Sequence, residues 1–194
     1  NITEYILNFS DIESDNNKDW VSFSDPSSID KPDERKSLFE NRVIKNFNDI
    51  SDQDINYPAE NDWTSWRRTP LGFGYSPLKQ INKENVQKLK LSWSLTMNEG
   101  SNQGTPLISQ GVMFLTHPGN MIQALNAANG KLIWEYKYPY PKDSMLLGGP
   151  TKNIAIYKDK VYMATYDAAL IALDIRTGKL LWKNIKADYK DGYT

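Results

Sequence analysis

Few side chains in this sequence could do covalent or metal chemistry on their own. His117, in Thr116-His117-Pro118-Gly119-Asn120, is the one histidine, and cysteine is absent. One imidazole cannot build a zinc site, and without thiols there is no disulfide, thiolate metal centre or cysteine nucleophile. Neither a GxxxxGK phosphate loop nor a GxGxxG after a strand occurs. His117 falls at a one-residue insertion between two β-forming runs, where an exposed loop histidine is expected. Lys152, in Thr151-Lys152-Asn153-Ile154-Ala155-Ile156-Tyr157, stands just before a strand, the ordinary place of a solvent-facing lysine. Gln103 precedes Gly104-Thr105-Pro106 and, taken alone, holds a turn. Any function of such residues depends on the elements that position them.

Those elements are written twice. Residues 111–134, GVMFLTHPGNMIQALNAANGKLIW, and residues 160–182, KVYMATYDAALIALDIRTGKLLW, are copies of each other, with Ala124, Gly130 and Trp134 recurring 48 residues on as Ala172, Gly178 and Trp182. A fixed period of this size marks a β-propeller or a solenoid, because one such unit cannot bury its own faces and must stack on a neighbour. Val161-Tyr162-Met163-Ala164-Thr165 and Ala169-Leu170-Ile171-Ala172-Leu173 are rich in β-formers, with Asp167-Ala168 between them at hairpin spacing. Asp174 then leads to Gly178, an Asp whose side chain can bond the turn backbone and a Gly that supplies positive φ. Lys179-Leu180-Leu181-Trp182 restarts a strand whose indole offers a flat surface to an adjacent blade. Asn126 and Asn129-Gly130 keep the same turn chemistry in the first copy. Trp93, within residues 89–95, reads as part of the final strand of another blade. Because Trp93, Trp134 and Trp182 occupy repeat positions, they are packing residues rather than a base-stacking surface, and no nucleic-acid partner is expected.

Charge divides the chain. Residues 1–60 carry 14 Asp and Glu against 6 Lys and Arg, whereas residues 61–194 carry 10 against 17. This predicts an acidic leader over 1–61 beside a basic body over 62–194. The leader is either solvated and partly disordered or folded over the body. Residues 1–30 read as irregular. Pro32, the acidic pair Asp33-Glu34, and Leu38, Phe39, Val43, Ile44 and Phe47 at helical spacing predict a helix over about 33–48. Asn82 is a candidate cap for a short helical turn after it. No stretch reaches the ~18 apolar residues that span a bilayer. The start at Asn1 rather than Met suggests a processed product, with a removed secretory signal as one explanation. Two or three blades leave sheet edges open, and closed propellers take about four to eight, so further polypeptide is expected to complete the ring.

Asp62-Trp63, Gly74-Tyr75-Ser76-Pro77-Leu78-Lys79-Gln80-Ile81-Asn82, then Asn85-Val86, Leu89 and Trp93 resemble the amino-terminal signature of the quinoprotein alcohol dehydrogenases. Gly104-Thr105-Pro106-Leu107 with Gly111-Val112-Met113 resembles that family's next segment, and both copies resemble its tryptophan docking motifs. The resemblance covers about residues 62–194. It implies an all-β fold, part of an eight-bladed β-propeller, preceded by the irregular or helical acidic leader. It also implies a periplasmic enzyme using pyrroloquinoline quinone (PQQ), in which a calcium or lanthanide ion acts as Lewis acid. A small alcohol would be oxidised to the aldehyde and electrons would pass to an acceptor such as a c-type cytochrome. The metal ligands and the catalytic Asp of that family lie beyond the matched residues, so none is assigned here.

The same resemblance nominates cofactor contacts. Gln103 stands where the family has a cofactor-contacting Glu; a neutral amide can donate to a quinone carboxylate without like-charge repulsion. Lys152 stands where it has an Arg, keeping the charge but losing the planar fork. Leu146-Leu147 replaces a vicinal cysteine pair as an apolar cover, and Gly148-Gly149 lets backbone approach a flat ring. Thr194 falls in the family's threonine-bearing segment. The competing reading is a noncatalytic propeller that scaffolds protein contacts, in the manner of outer-membrane assembly lipoproteins. The signature over residues 62–93 is what separates the two.

Overall fold

The computed structural model describes residues 41–144 and 154–193. Two four-stranded antiparallel meanders dominate it, β1-β2-β3-β4 and β5-β6-β7-β8, each in sequential order. The first holds β1 (Leu107–Ser109), β2 (Val112–His117), β3 (Met121–Asn126) and β4 (Leu132–Lys137). The second holds β5 (Ile154–Tyr157), β6 (Lys160–Ala164), β7 (Ala169–Asp174) and β8 (Leu180–Ile185). Sequential strands joined by short turns are what the alternation of β-forming runs and Asx-Gly signals dictates.

The repeat is deeper than the sequence copy. Phe114 pairs with Ala124 and Ala124 with Trp134; 48 residues later Tyr162 pairs with Ala172 and Ala172 with Trp182. Both β3 and β7 carry a register shift just after that alanine. The left-handed turn residues repeat as well: Gln110 and Lys158, Asn120 and Ala168, and Gly130 and Gly178 have φ between 52 and 69°. In these turns Asn126 Oδ1 accepts from Ala128 N, and Asp174 Oδ1 accepts from Arg176 N and Thr177 N. The short polar side chain thus takes over backbone donors that the tight turn leaves unpaired.

The core lies between the two sheets. Trp134, Phe114, Ile122 and Ala124 of the first face Ile154, Val161, Met163, Ile171 and Leu173 of the second in one buried cluster. Trp134 is fully buried, whereas its counterpart Trp182 is 38% exposed and every residue of β8 is exposed.

Residues 41–63 form a strap across both sheets. Arg42 N donates to Ile133 O, Ile44 N to Arg176 O, and Ile50 exchanges two backbone bonds with Lys158. Helix α1 (Asp52–Asn56) follows, opened by a capping box between Ser51 and Asp54. Trp63 then bridges to Ile108 on the free edge of β1. Of the segment expected to be helical over 33–48, the described part, 41–48, is not. Ile44, Phe47 and Ile50 are buried at three-residue spacing, which mimics one helical face, but Val43 is 57% exposed. Over residues 42–50 the backbone bonds run to the sheets, from Arg42, Ile44 and Ile50, and Asn46 has φ 55°. Residues 89–95, expected as a strand, have no ladder partner among the described residues. A short 3-10 turn forms at Val86–Lys88, but its cap position is Asn85, without a side-chain cap bond; Asn82 Oδ1 instead accepts from Glu84 N in the turn before it. Among the described residues no helix is long and apolar enough to cross a membrane.

Candidate functional site

Antiparallel pairing sorts the loops onto two ends. The segment before β1, the β2–β3 turn, the β6–β7 turn, the exit of β4 and the exit of β8 share one end, and the strap occupies the other. Gln103 lies at the first end, four residues before β1. Its neighbour Asn102 pins the segment, with Nδ2 donating to Thr116 O at 3.3 Å and Oδ1 accepting from Gly104 N at 2.9 Å. The Gln103 side chain is exposed and, among the described residues, has no hydrogen-bond partner. It is thus a held backbone presenting a free amide. Leu147, Gly148, Lys152 and Thr194 lie outside the described residues, so Gln103 is the one nominated contact whose surroundings are seen.

The stretch leading out of β4 toward Leu147 is tied to the second sheet. Tyr138 Oη donates to Asp167 Oδ2 at 2.7 Å, and Lys183 Nζ reaches the same oxygen at 3.0 Å. Thr165 Oγ1 donates to the other carboxylate oxygen. Lys183 also stands 4.9 Å from the centre of the Tyr138 ring, a cation–π contact. Asp167 is buried, which alone would raise its carboxyl; the bonds from Thr165, Tyr138 and Lys183 outweigh that and hold it below the usual carboxylate range. The bonds to Tyr138 and Asp167 push the Lys183 ammonium up in turn. Two further contacts continue the tie: Tyr140 packs edge-on against Tyr166, centroids 5.0 Å apart, and Tyr189 Oη donates to Asp143 Oδ1 at 3.1 Å. Tyr189 belongs to the segment running from β8 toward Thr194, so the two chain segments that lead to nominated contacts meet at this end.

None of this cluster was among the nominated residues. The turn around Asp167 was visible as a hairpin, but its burial follows from Tyr138 folding onto it from the stretch just after β4, a contact 29 residues away that no local pattern encodes.

His117 also departs from expectation. The ladder aligns Val112 with Lys160 and Thr116 with Ala164, so the copies have no insertion and His117 stands where Thr165 stands. It is the last residue of β2 and 1% exposed, not a loop residue in solvent. Burial pushes its imidazole down, against the opposing influence of Gln123 and Glu135. Gln123 Nε2 donates to Glu135 Oε2 at 3.1 Å.

At the far end a cleft of about 650 Å³ lies between the strap and the first sheet's turns, lined by Arg42, Asn46, Gln110, Asn126 and Lys131 among others. It is separated from Gln103 by the length of the strands. Among the described residues no group of three or more His, Asp and Glu is placed to hold a metal ion.

Residues 63–185 match the family model described as PQQ: glucose/ethanol/alcohol dehydrogenase, β-propeller domain. The dehydrogenase subunit of an alcohol dehydrogenase (quinone) from Gluconobacter oxydans is 46% identical over 126 residues, 62% of this chain and 16% of that protein. A solved quinohemoprotein alcohol dehydrogenase, ADHIIG of Pseudomonas putida, is 34% identical with a TM-score of 0.60, over 68% of this chain and 20% of that one. A europium-containing methanol dehydrogenase is 28% identical with a TM-score of 0.63, over 67% and 24% respectively. The chain therefore spans about a fifth of the length of these relatives.

Proposed function

Because the chain belongs to the PQQ-dependent glucose/ethanol/alcohol dehydrogenase propeller family, we propose that its two sheets are adjacent blades forming one wall of a quinone site in an alcohol dehydrogenase. The observation that supports this most is the pinned Gln103 at the same end as the tied segments leading toward Leu147 and Thr194. The group fits the donors in view: PQQ carries carboxylates, and an exposed amide without a partner can donate to one. When bound, the quinone supplies the two-electron oxidant that no side chain of this sequence could be.

In this reading the chain binds and orients. Gln103 donates to a quinone carboxylate, and Lys152 adds a point charge to another. Leu147 excludes water from one face, while Gly148 lets the backbone lie close to the ring. Thr194 would belong to a segment that touches the quinone. Residues outside this chain would hold a calcium or lanthanide ion and would supply the catalytic Asp. The segment over 1–61 is an acidic leader to a propeller portion over 62–194. Electrons leave to an acceptor such as a c-type cytochrome, and the protein works in the periplasm after loss of a signal peptide. The substrate is a small alcohol. The test is reconstitution of the intact protein with PQQ and calcium or a lanthanide, followed by absorption spectroscopy and dye-linked alcohol oxidation. Turnover supports the proposal; quinone binding with no turnover on any alcohol points to a sensor or scaffold, and no binding refutes it.

A further inference from the structure

The turns that precede β4 and β8 are copies, and they differ at the residue that meets the strap. With Gly130 set against Gly178, Asn126-Ala127-Ala128-Asn129 stands for Asp174-Ile175-Arg176-Thr177. In the second copy the Arg176 guanidinium reaches across to the strap, bonding Phe47 O and Asp49. In the first copy Ala128 has only a methyl at that position, and there a cleft of about 650 Å³ lies between turn and strap. Its volume is in the range of small-molecule sites. The lining is one-sided in charge: among the described residues Arg42, Lys45 and Lys131 contribute to it and no carboxylate does. The acid of the second turn, Asp174, is here the amide Asn126. Lys45 on the strap and Lys131 beside the turn pair with no acid among the described residues. Asn126 and Asn129 spend their side-chain oxygens on the turn, accepting from Ala128 N and Lys131 N, which leaves their NH2 groups to donate. Exposed Val43 and half-buried Ile133 add apolar surface.

We propose that this cleft is a second ligand site, for a small organic anion bearing at least two carboxylates. Ammonium groups from strap and turn supply the counter-charge, the free amides donate to carboxylate oxygens, and Val43 with Ile133 takes the carbon skeleton. An anion placed here meets no carboxylate to repel it. The apolar surface gives an organic body an advantage over inorganic phosphate. The site lies at the end of the sheets away from Gln103 and does not depend on the quinone reading.

The test is calorimetric titration of the intact protein that carries this chain with tricarballylate, a tricarboxylate that is not a quinone, at low ionic strength and beside inorganic phosphate. Lys45→Gln and Lys131→Gln each weaken binding by about tenfold, the loss expected of one charged hydrogen bond. Lys137→Gln, at the far end of β4 from Lys131, removes the same charge away from the cleft and leaves binding unchanged. Ala128→Arg copies the second turn and separates a site from mere attraction. It adds a cation yet fills the cleft, so binding is lost, whereas unspecific attraction to a basic body would grow stronger. Thermal unfolding of each variant checks that it is folded; should Ala128→Arg not be, Lys131→Gln against Lys137→Gln still decides. The site is overturned by no binding to the unsubstituted protein, by equal losses in Lys131→Gln and Lys137→Gln, by tighter binding in Ala128→Arg, or by phosphate binding as tightly as the tricarboxylate. None of these outcomes bears on the quinone at the opposite end.

Discussion

The indole of Trp134 lies flat over Gly178 of the next sheet, so close that a Cβ added there would stand 2.6 Å from the ring. Its Nε1 donates to Ile175 O at 3.0 Å, which fixes the angle of the stack. The same relationship recurs one repeat earlier, where a Cβ on Gly130 would also meet Trp93 at 2.6 Å and the Trp93 Nε1 donates to Ala127 O at 3.3 Å. Two constraints therefore fall on one glycine: φ of +69°, which L-residues resist, and no room above it. Gly178→Ala should destabilise by about 3 kcal/mol, from backbone strain plus overpacking. Trp134→Phe should cost less per atom removed but leave Ile175 O unsatisfied, about 1–3 kcal/mol for that group. Denaturant unfolding of each variant checks this, and a neutral Gly178→Ala would refute the packing account.

Arg176 ties the strap to the second blade. Its guanidinium gives two bonds to Phe47 O, at 3.1 and 2.8 Å, and one to Asp49 at 2.7 Å. The Asp49 pair is exposed and contributes little on its own. The carbonyl contacts need the planar fork, which a lysine lacks. Arg176→Lys should therefore loosen the strap nearly as much as Arg176→Ala, while Asp49→Asn changes little. Amide exchange at residues 44–50 reads the difference; a large effect of Asp49→Asn would assign the clasp to charge instead.

His117 predicts acid sensitivity. Its folded pKa lies below the ordinary value of 6.5, from burial opposed by Gln123 and Glu135. Above 6.5 the imidazole is neutral in both states and the fold is unaffected. As pH falls through 6.5 the unfolded chain takes up a proton that the folded one resists, so stability declines toward the folded pKa. Unfolding free energy measured between pH 7.5 and 5.5 should fall more steeply for the unsubstituted protein than for His117→Gln. Parallel slopes would show that the buried imidazole charges freely.

The period of Ala, Asx, Gly and Trp made the blades legible, because one turn chemistry and one flat docking residue were written twice at fixed spacing. That the repeated indole docks on an adjacent blade could be read from that; its seat over Gly178 is what the structure adds. The strap could not: Ile44, Phe47 and Ile50 have the spacing of a helix face, and only the sheets that take their backbone bonds reveal an extended path. His117 was misplaced because the match of Gly111 with Lys160 forced a gap that the ladder does not contain; aligning Phe114 with Tyr162, both beside the docking Trp, would have removed it. The ties around Asp167 depend on Tyr138 reaching across from another blade, and a tyrosine in a Tyr-Pro-rich stretch carries no mark of its partner. Gln103 was located by resemblance, and its exposed amide beside a pinned Asn102 is what the fold adds.

The central claim, that these two blades hold a quinone, is tested most directly at Lys152. Lys152→Glu places an anion where a cation is proposed to meet a carboxylate, and unlike-to-like reversal at such a contact is costly. After reconstitution with PQQ and gel filtration, the unsubstituted protein should retain the quinone chromophore and Lys152→Glu should elute without it, with the same unfolding midpoint. Equal retention by both would contradict the placement of this chain against the cofactor.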